Sequence, residues 1–501
     1  MSLSTSFSAW LHSLAQLPWA SWLGALWLAY ALALAVWIVL QKRSPVATLA
    51  WIMSLSLMPL VGLAVYAWFG PRRIQRQRLR RWHQRASVLS QREWQALLAQ
   101  RAEPPVWAVQ HARLIERSCG LPMSACHSVQ LLGSGAAALD ALLQAIAQAR
   151  RHIHLEYYIF APDHTGQTVL RALAERARQG VAVRLLVDAV GSFALHRRRC
   201  PALRELLDAG GQMALFHPAR LDRFRPLVNL RTHRKMVICD GQIGLLGGIN
   251  ITDAENERQS GPAAWRDTHL RLHGAAVRWL QYLFLQDWAY ASGHTLPGDM
   301  LPPEGSDEEG DEEGDEESAL ADVPVQIAAS GPDNDGEAIH RAVIDAIGLA
   351  RHRIWLATPY FVPTEETLAA LTNAALRGVQ IKLMTTACSD SRLVAAAASS
   401  YYGELLRAGA LIFEYGPPML HAKTLLVDGH YAMIGSANFD NRSFRLNFEV
   451  AAVILSAAFN AELAAMFERD LSRCRRITER RRLPWRQRLL EAVARLFSRL
   501  L

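Results

Sequence analysis

The sequence has 501 residues, a formal net charge of +8 and a hydrophobic fraction of 51%. That length allows two or three domains with substantial cores, and the basic balance favours a polyanionic partner such as nucleic acid, an anionic membrane surface or a phosphate-bearing substrate. The six cysteines are scattered and contain no CxxC pair, which argues against a disulfide framework and against a tetrahedral zinc site.

Two uncharged segments come first along the chain. Residues 19–40 and 44–70 contain no charged side chain, and each is long enough to cross a hydrocarbon core of about 30 Å as a helix. A secretory signal peptide needs a basic region ahead of its apolar core, whereas the first charged side chain here is Lys42. We therefore expect residues 1–82 to form a transmembrane hairpin with a basic flank; a buried pair of soluble helices is the alternative.

The charges around these segments predict an orientation. The connection between them offers only Lys42 and Arg43, whereas six arginines lie between residues 72 and 81. Basic residues are enriched on the cytoplasmic side of membrane proteins. The multi-pass hairpin should therefore leave the arginine cluster, and the domain after it, on the cytoplasmic side.

The rest of the chain repeats itself loosely. RRHIHLEYYIFAPD (150–163) parallels RHRIWLATPYFVPT (351–364), and each is followed by a helical pattern, a glycine and a β-branched run. Alternation of strands and helices predicts an α/β fold with mainly parallel sheets and flanking helices. The duplication predicts two similar half-domains, residues 125–300 and 323–482, related by an approximate twofold axis.

Three further segments surround the halves. Residues 83–124 are expected to form a helical connector. Residues 304–317 hold ten acidic side chains and no apolar one, so the segment 301–322 is predicted to be a disordered linker. Residues 483–501 combine arginines with apolar residues at helical spacing and predict a basic amphipathic helix. That helix could lie on a membrane or pack on the catalytic domain, and both alternatives stay open.

Each half contains a histidine two residues before a lysine and seven before an aspartate. Side chains alternate along a strand, so each histidine and lysine should share one face, and the twofold axis would bring both pairs to one cleft. The aspartates lie at the strand ends and are expected to anchor turns. The candidate catalytic residues are His233, Lys235, Asp240, His421, Lys423 and Asp428.

Such a cleft suits displacement at a phosphodiester with no metal and no other cofactor. One neutral histidine would attack phosphorus, while the other, protonated, would donate to the leaving alkoxide. The lysines, with Asn250 and Asn438, would bind the non-bridging oxygens. Each histidine also needs a carboxylate that orients its other ring nitrogen, and Asp267 and Glu449 are the candidates.

At these residues the chain resembles the phospholipase D superfamily, whose signature is HxKxxxxD followed by GGxN or GSxN. Within it the chain is similar to bacterial cardiolipin synthases, and the similarity covers nearly all of it except the acidic segment. The motifs that carry this similarity are LEYYIF (155–160), WRDTH (265–269), TPYFVP (358–363) and GSANFDNRSFRLNFE (435–449).

The resemblance implies phosphatidyl transfer between two phosphatidylglycerol molecules, giving cardiolipin and glycerol through a phosphatidyl-histidine. By the superfamily's usual order His233 would be the nucleophile and His421 the acid and base, although the residues themselves do not distinguish the two. The implied setting is the bacterial cytoplasmic (inner) membrane, with an anionic phospholipid as substrate and no nucleic acid as partner.

Two departures from the family pattern put the acceptor in question. Thr232 stands where an asparagine is usual, and NITDAENE (250–257) replaces an acidic-aromatic segment. The acceptor could therefore be another phospholipid or a free alcohol. A hydrolysing phospholipase D is a further alternative, and a nuclease or a catalytically silent membrane scaffold is less compatible with two membrane spans and two intact motifs.

Overall fold

The computed structural model describes residues 18–40, 45–58, 89–197, 200–218, 230–296, 323–333, 336–478 and 484–498. The chain falls into two compact units, Met1–Arg76 with Arg223–Pro226, and Gln77–Asp222 with Leu227–Leu501. The predicted acidic linker, residues 301–322, lies outside the described residues.

The first unit contains helices α1 (Pro18–Val39) and α2 (Pro45–Leu57). They pack around Ile38 and Leu55, which are buried. Within the described ranges, no helix has both the length and the apolarity needed to cross a membrane. The second expected span is described only as far as Met58, and the arginine cluster at 72–81 lies outside the described residues.

The second unit contains both halves of the duplication and the elements before and after them. Those of the first half and its connector are α3 (Gln91–Ala99), α4 (Val109–Cys119), β1 (Met123–Leu132), α5 (Gly135–Gln148), β2 (His152–Tyr157), α6 (His164–Arg178), β3 (Ala182–Asp188), α7 (Phe193–Arg197), α8 (Pro201–Asp208), β4 (Gln212–Phe216), β5 (Lys235–Cys239), β6 (Ile243–Gly247), α9 (Glu257–Ser260), β7 (His269–Gly274) and α10 (Ala275–Ser292).

The second half repeats this order, starting at β8. Its elements are β8 (Val323–Ser330), α11 (Ala338–Leu349), β9 (Arg353–Ala357), β10 (Phe361–Val362), α12 (Glu365–Leu376), β11 (Gln380–Thr386), α13 (Arg392–Arg407), β12 (Leu411–Tyr415), β13 (Thr424–Val427), β14 (Tyr431–Gly435), β15 (Phe439–Asp440), α14 (Asn441–Arg445), β16 (Glu449–Ile454), α15 (Ala457–Leu471), β17 (Cys474–Ile477) and the C-terminal α16 (Trp485–Leu496).

Corresponding helices of the two halves begin and end by the same local chemistry. The side chains of Asp163 and Thr364 accept hydrogen bonds from backbone N–H groups in the first turns of α6 and α12, which satisfies donors that a helix leaves unpaired. Gly180 and Gly378 follow these helices with φ of +88° and +90°, a conformation that glycine adopts without strain. The predicted pattern of helix, glycine and strand is confirmed here.

One fifteen-stranded sheet runs through both halves. Its order is β17-β12-β11-β9-β13-β14-β16-β8-β1-β7-β6-β5-β2-β3-β4, and β10 pairs separately with β15. Outward from the antiparallel pair β1–β8, the order β1-β7-β6-β5-β2-β3-β4 corresponds to β8-β16-β14-β13-β9-β11-β12. The predicted duplication is therefore present, and the approximate twofold axis passes between β1 and β8.

The expectation of mainly parallel strands is wrong. Within the large sheet only β2-β3-β4 and β9-β11-β12 are parallel, and the remaining neighbours run antiparallel. The helical crossovers do produce parallel pairs, but each HxK stretch is followed by a tight Asp-Gly turn that folds it back as the hairpin β5–β6 or β13–β14. Asp-Gly is a common signal for such hairpins.

The sheet is packed on both faces. A core shared by the two halves includes Met236, Trp279 and Phe284 from the first and Leu426 and Ile454 from the second, and α10 and α15 cover it. Two further clusters lie under the remaining helices of each half. Because one core spans both halves, the residues at their boundary are held in fixed relative positions.

Helix α16 packs on α13, which agrees with the second alternative for this segment. Ala494 is fully buried, and the carboxylate of Glu491 accepts a hydrogen bond of 2.8 Å from Ser399 Oγ. The opposite face of α16 stays exposed, with Trp485 at 69% and Leu489 at 55% of their accessible surface. Packing on the catalytic domain therefore leaves an apolar surface uncovered.

Candidate active site

The two HxK segments meet the opposite half of the molecule through their backbones. Each histidine lies just before its strand, in an extended segment. His233 N donates to Phe448 O at 2.8 Å, and His421 N donates to Arg266 O at 2.7 Å. Each acceptor directly precedes one of the predicted orienting carboxylates. Main-chain bonds between the halves thus place a histidine of one beside a carboxylate of the other.

The side chains complete this crossed arrangement. His233 Nδ1 lies 3.0 Å from Glu449 Oε2, and His421 Nδ1 lies 2.6 Å from Asp267 Oδ2. Both carboxylates are buried. The sequence predicted these four residues as partners, and the structure brings each pair together, with the members of each pair in different halves.

The carboxylates determine which ring nitrogen carries the proton. Burial would raise the pKa of Asp267, but Lys423 and His421 beside it lower it to about 2. Burial likewise opposes ionisation of Glu449, yet the charges of His233 and Lys235 and the hydrogen bonds from His233 and Ser436 lower its pKa. An ionised carboxylate only accepts hydrogen bonds, so each Nδ1 donates and each Nε2 keeps its lone pair.

Burial lowers the pKa of both imidazoles, which favours their neutral forms. Burial, reinforced by Lys423, lowers the pKa of His421 to about 4, although Asp267 acts in the opposite direction. Burial also lowers the pKa of His233, against the effect of Glu449. A neutral imidazole with an unprotonated Nε2 can act as a nucleophile or as a base.

The two lysines lie in the same cluster as the histidines. Lys235 Nζ donates to His233 O at 2.7 Å, and Lys423 Nζ lies 3.1 Å from Asp267 Oδ2. Burial, followed by the charge of Lys423, lowers the pKa of Lys235 to about 7. The two ammonium groups therefore act on one another, and a phosphate anion there would relieve their repulsion.

An aromatic ring of the first half lies beside each of the two histidines. The Tyr158 ring lies 4.9 Å from the His233 ring between centroids, and the Trp265 ring lies 5.3 Å from the His421 ring. Sequence reasoning did not include either aromatic residue in the site. Both occur in motifs noted for the resemblance, LEYYIF and WRDTH, and that was the available signal.

Asp240 and Asp428 do not belong to the catalytic group, although the sequence placed them there as motif residues. Asp240 accepts hydrogen bonds of 2.7–2.8 Å from the backbone N–H groups of residues 150–152, and Asp428 accepts bonds of 2.8–3.1 Å from those of residues 351–353. Each aspartate lies five residues beyond the lysine of its motif, a separation of roughly 16 Å along an extended strand. Both anchor turns, as their position at the strand ends suggested.

A close backbone approach explains one glycine of the first motif. A Cβ at Gly248 would lie 2.2 Å from Asp267 Oδ1. Any larger residue would therefore displace the carboxylate that orients His421. The second half has Ser436 at the corresponding position, and its hydroxyl donates to Glu449 instead.

Comparison with known proteins is consistent with this geometry. A family model described as "Cardiolipin synthase, PLD-like domain" matches residues 142–288 and 343–471, which include most of both halves. The chain belongs to the cardiolipin synthase family of the phospholipase D superfamily. A second family model, "Phospholipase_D-nuclease N-terminal", matches residues 29–71.

Relatives in this family are similar along almost their whole length. The chain is 39% identical to cardiolipin synthase A of Pseudomonas aeruginosa, covering 93% of each protein. It is 38% identical to a cardiolipin synthase of a Geobacillus species, covering 93% of this chain and 91% of that one. A phosphatidylserine synthase structure from Haemophilus influenzae shares the fold, with a TM-score of 0.59, 15% identity and coverage of 78% of this chain and all of the other.

The two predicted asparagines differ in their surroundings. Asn250 Nδ2 donates to Glu255 Oε1 at 2.7 Å, and the carboxylate also accepts the backbone N–H of Asn250. Asn438 N donates to Ser443 Oγ at 3.1 Å, whereas Asn438 Oδ1 is buried and accepts no hydrogen bond from the described residues. Glu255 and Ser443 therefore occupy corresponding positions of the two halves.

Glu255 is an ionisable residue of this site that the sequence prediction also missed. It is buried, and its Oε1 lies 3.8 Å from His421 Nδ1. Burial and the charge of Asp267 raise its pKa to about 7. Its position within NITDAENE, where the chain departs from the family pattern, was the available signal. The departure therefore places an additional ionisable group beside His421.

The other departure lies on the opposite side of the cleft. Thr232 is fully buried, and its hydroxyl donates to Glu156. Burial and the charge of Asp287 raise the pKa of Glu156 to about 8. Thr232 thus stabilises a buried carboxyl beneath the His233 segment.

One group of the described residues has metal-ligand character. Ligand atoms of Glu255, Asp267 and His421 lie within 4.8 Å of one another. Lys423 contacts the same Asp267 oxygen as His421. A divalent cation would meet the charge of this ammonium group, so the cluster fits an orienting network for His421 better than a metal site.

Proposed function

We propose that the protein is a cardiolipin synthase that transfers a phosphatidyl group from one phosphatidylglycerol to another and releases glycerol. The observation that carries this proposal is the crossed pair of histidines, each with Nδ1 bonded to a carboxylate of the other half. Two imidazoles presented in this way can act on opposite sides of one phosphorus atom. Membership of the cardiolipin synthase family supports the choice of substrate.

In the first step, His233 Nε2 attacks the phosphorus of the donor lipid. The bond between phosphorus and the glycerol oxygen breaks, and His421, protonated at Nε2, donates its proton to that oxygen. Binding of the phosphodiester anion favours the protonated imidazole that this step needs. The products are free glycerol and a phosphatidyl group bonded to His233 nitrogen.

In the second step, His421 accepts the proton of the acceptor hydroxyl. The resulting oxygen attacks phosphorus, the bond between phosphorus and His233 nitrogen breaks, and cardiolipin forms. Lys235 and Lys423 supply positive charge to the non-bridging oxygens in both steps. The assignment of His233 as nucleophile rests on the superfamily resemblance, because both imidazoles contact an orienting carboxylate through Nδ1.

The proposal is tested by supplying purified protein with phosphatidylglycerol alone. We expect cardiolipin and glycerol in equal amounts. Phosphatidic acid without cardiolipin would instead identify a hydrolysing phospholipase D. Product from an added alcohol or a different phospholipid, with none from phosphatidylglycerol alone, would identify the alternative acceptor.

The covalent route has its own test. His233→Ala should abolish product while the protein stays folded, whereas His421→Ala should slow both steps and allow a phosphatidyl adduct to accumulate. Radiolabelled lipid and peptide mapping would locate that adduct. Its appearance on His421 in a His233→Ala protein would reverse the assignment of the two histidines.

We further propose that residues 1–82 form a hairpin in the bacterial cytoplasmic membrane, with the catalytic unit on the cytoplasmic side. Support comes from the two long uncharged segments, the arginines at 72–81 and the family match at residues 29–71. Extraction with alkaline carbonate should leave the protein in the membrane fraction. A cysteine introduced in the 41–44 connection should react with an impermeant reagent added outside intact spheroplasts.

A further inference from the structure

An open cavity of about 590 Å³ lies beside His421. Three loops and one strand-end residue form its wall: the segment before Asp267, the loop after β11, the proline pair after β12, and Arg473 just before β17. Its lining includes Trp265, Asp390, Pro417, Pro418, Met419 and Arg473. Of these residues only Trp265 belongs to the site described above.

The cavity adjoins the acid and base of the proposed reaction. Trp265 lines it, and the Trp265 ring lies 5.3 Å from the His421 ring between centroids. Met419, two residues before His421, also lines it. A group bound in this cavity can therefore reach the His421 imidazole without passing the His233 side.

The lining combines three kinds of chemistry. Trp265 and Met419 are apolar. Arg473 is exposed, its guanidinium lies 5.2 Å from the centroid of the Tyr415 ring, and it forms no ion pair with any residue that the structure describes. Asp390 accepts a hydrogen bond of 2.6 Å from Tyr360 OH, which holds its carboxylate in place.

The same imidazole must serve two oxygens in turn. It protonates the leaving glycerol in the first step and accepts the proton of the incoming hydroxyl in the second, so both oxygens must occupy the His421 side of phosphorus. The donor phosphorus, in contrast, lies between the two histidines. The cavity adjoins His421 through Trp265, and its lining includes neither Tyr158 nor Glu449, the neighbours of His233, so it is suited to the acceptor.

We propose that this cavity binds the headgroup of the acceptor phosphatidylglycerol, with its phosphate at Arg473, a glycerol hydroxyl at Asp390 and the start of its acyl region against Trp265 and Met419. The inference rests on the proposed function and adds to it the site that selects the acceptor. In this proposal Arg473 recognises the charge of the acceptor, whereas the two histidines carry out the phosphoryl chemistry.

The test uses competition between two acceptors in the full-length protein. Phosphatidylglycerol vesicles are mixed with ethanol, and the ratio of cardiolipin to phosphatidylethanol is measured. Ethanol has no phosphate for Arg473 to bind. Arg473→Gln should therefore reduce this ratio about tenfold, the effect of losing one charge-assisted contact, while phosphatidylethanol still forms.

Two variants serve as comparisons. Arg476→Gln removes an exposed arginine from β17, outside the cavity, and should leave the ratio unchanged. Arg473→Lys keeps the charge and should recover most of the ratio. Because Arg473 is exposed, the folding of the variants should be unaffected.

The outcomes are distinguishable. An unchanged ratio in Arg473→Gln overturns the acceptor site and leaves the proposed function standing. Equal loss of cardiolipin and phosphatidylethanol also overturns it, because Arg473 would then act on the donor. Wild-type protein that forms phosphatidylethanol but no cardiolipin overturns the proposed function and this site together.

Discussion

Glu449 contacts His233 across the boundary between the two halves, with 3.0 Å between Oε2 and Nδ1. Asp267 makes the reciprocal contact with His421 at 2.6 Å. Neither half therefore supplies both the histidine and the carboxylate that orients it. The HxK segment occurs twice because each copy needs the carboxylate of the other, and this dependence makes the duplication a functional unit.

Glu449→Gln should lower kcat for cardiolipin formation by about 100-fold or more, because the amide cannot stabilise the imidazolium or hold one tautomer of His233. Initial rates with phosphatidylglycerol would measure the loss. Glu414→Gln is the matched control, since Glu414 forms a surface ion pair with Arg475. A Glu449→Gln enzyme within about twofold of wild type would contradict the orienting role.

Glu255→Gln should change the pH profile of glycerol release. Burial and Asp267 raise the pKa of the wild-type Glu255 carboxyl to about 7. Below pH 7 this carboxyl is therefore neutral, like the glutamine side chain. Above pH 7 it is ionised and favours the protonated form of His421, which makes the first step faster.

The rate ratio of wild type to Glu255→Gln should therefore increase from pH 6 to pH 8, on the order of tenfold for a shift of one pKa unit in His421. Glu257→Gln offers a control on the neighbouring helix α9. A ratio that stays constant across this range would mean that Glu255 only supports the fold around Asn250.

Treatment with a chelator should change the rate by no more than about twofold, because the ammonium group of Lys423 contacts the Asp267 oxygen that a cation would need. The assay compares protein dialysed against EDTA with untreated protein in detergent-dispersed substrate, where metal effects on vesicles are absent. A complete loss of activity that only one divalent metal restores would contradict the proposed chemistry.

Asp428→Ala should act on stability more than on catalysis. Its carboxylate accepts backbone N–H groups of residues 351–353, and their loss should cost about 1–3 kcal/mol in the free energy of unfolding. Thermal unfolding would show a lower Tm, whereas Asp208→Asn, at the exposed end of α8, should leave it unchanged.

The pH dependence of this effect has a defined sign. Burial opposes ionisation, but the backbone hydrogen bonds lower the pKa of Asp428 below its ordinary value of about 3.9. The stabilisation is therefore present above pH 4 and is lost as the pH falls through the folded-state pKa. The difference in Tm between wild type and variant should narrow at acid pH; a constant difference would contradict this origin.

The exposed face of α16 gives a prediction for membrane contact. Leu489→Glu combined with Val493→Glu should lower activity on anionic vesicles about tenfold, since both side chains are exposed on the apolar face. Activity on detergent-dispersed lipid should change little. The control is Gln487→Glu, which adds one acidic group to the same helix outside that face. Equal activity of wild type, the double variant and this control on vesicles would exclude a membrane role for α16.

Several features followed from the sequence because their causes are local. Capping side chains and glycines at positive φ set the limits of α6 and α12. The recurrence of HxK, with an aspartate at each strand end, identified the motif residues and correctly indicated that Asp240 and Asp428 anchor turns. These signals depend on residues within a few positions of one another, so they can be recognised without the fold.

The tertiary structure decided the remainder. His233 and Glu449 are 216 residues apart, and they meet only because β1 pairs with β8 and continues one sheet through both halves. The burial that lowers the pKa of His421 and the approach of Glu255 to that histidine have the same origin. Both depend on the packing of distant segments, which no local pattern in the sequence specifies.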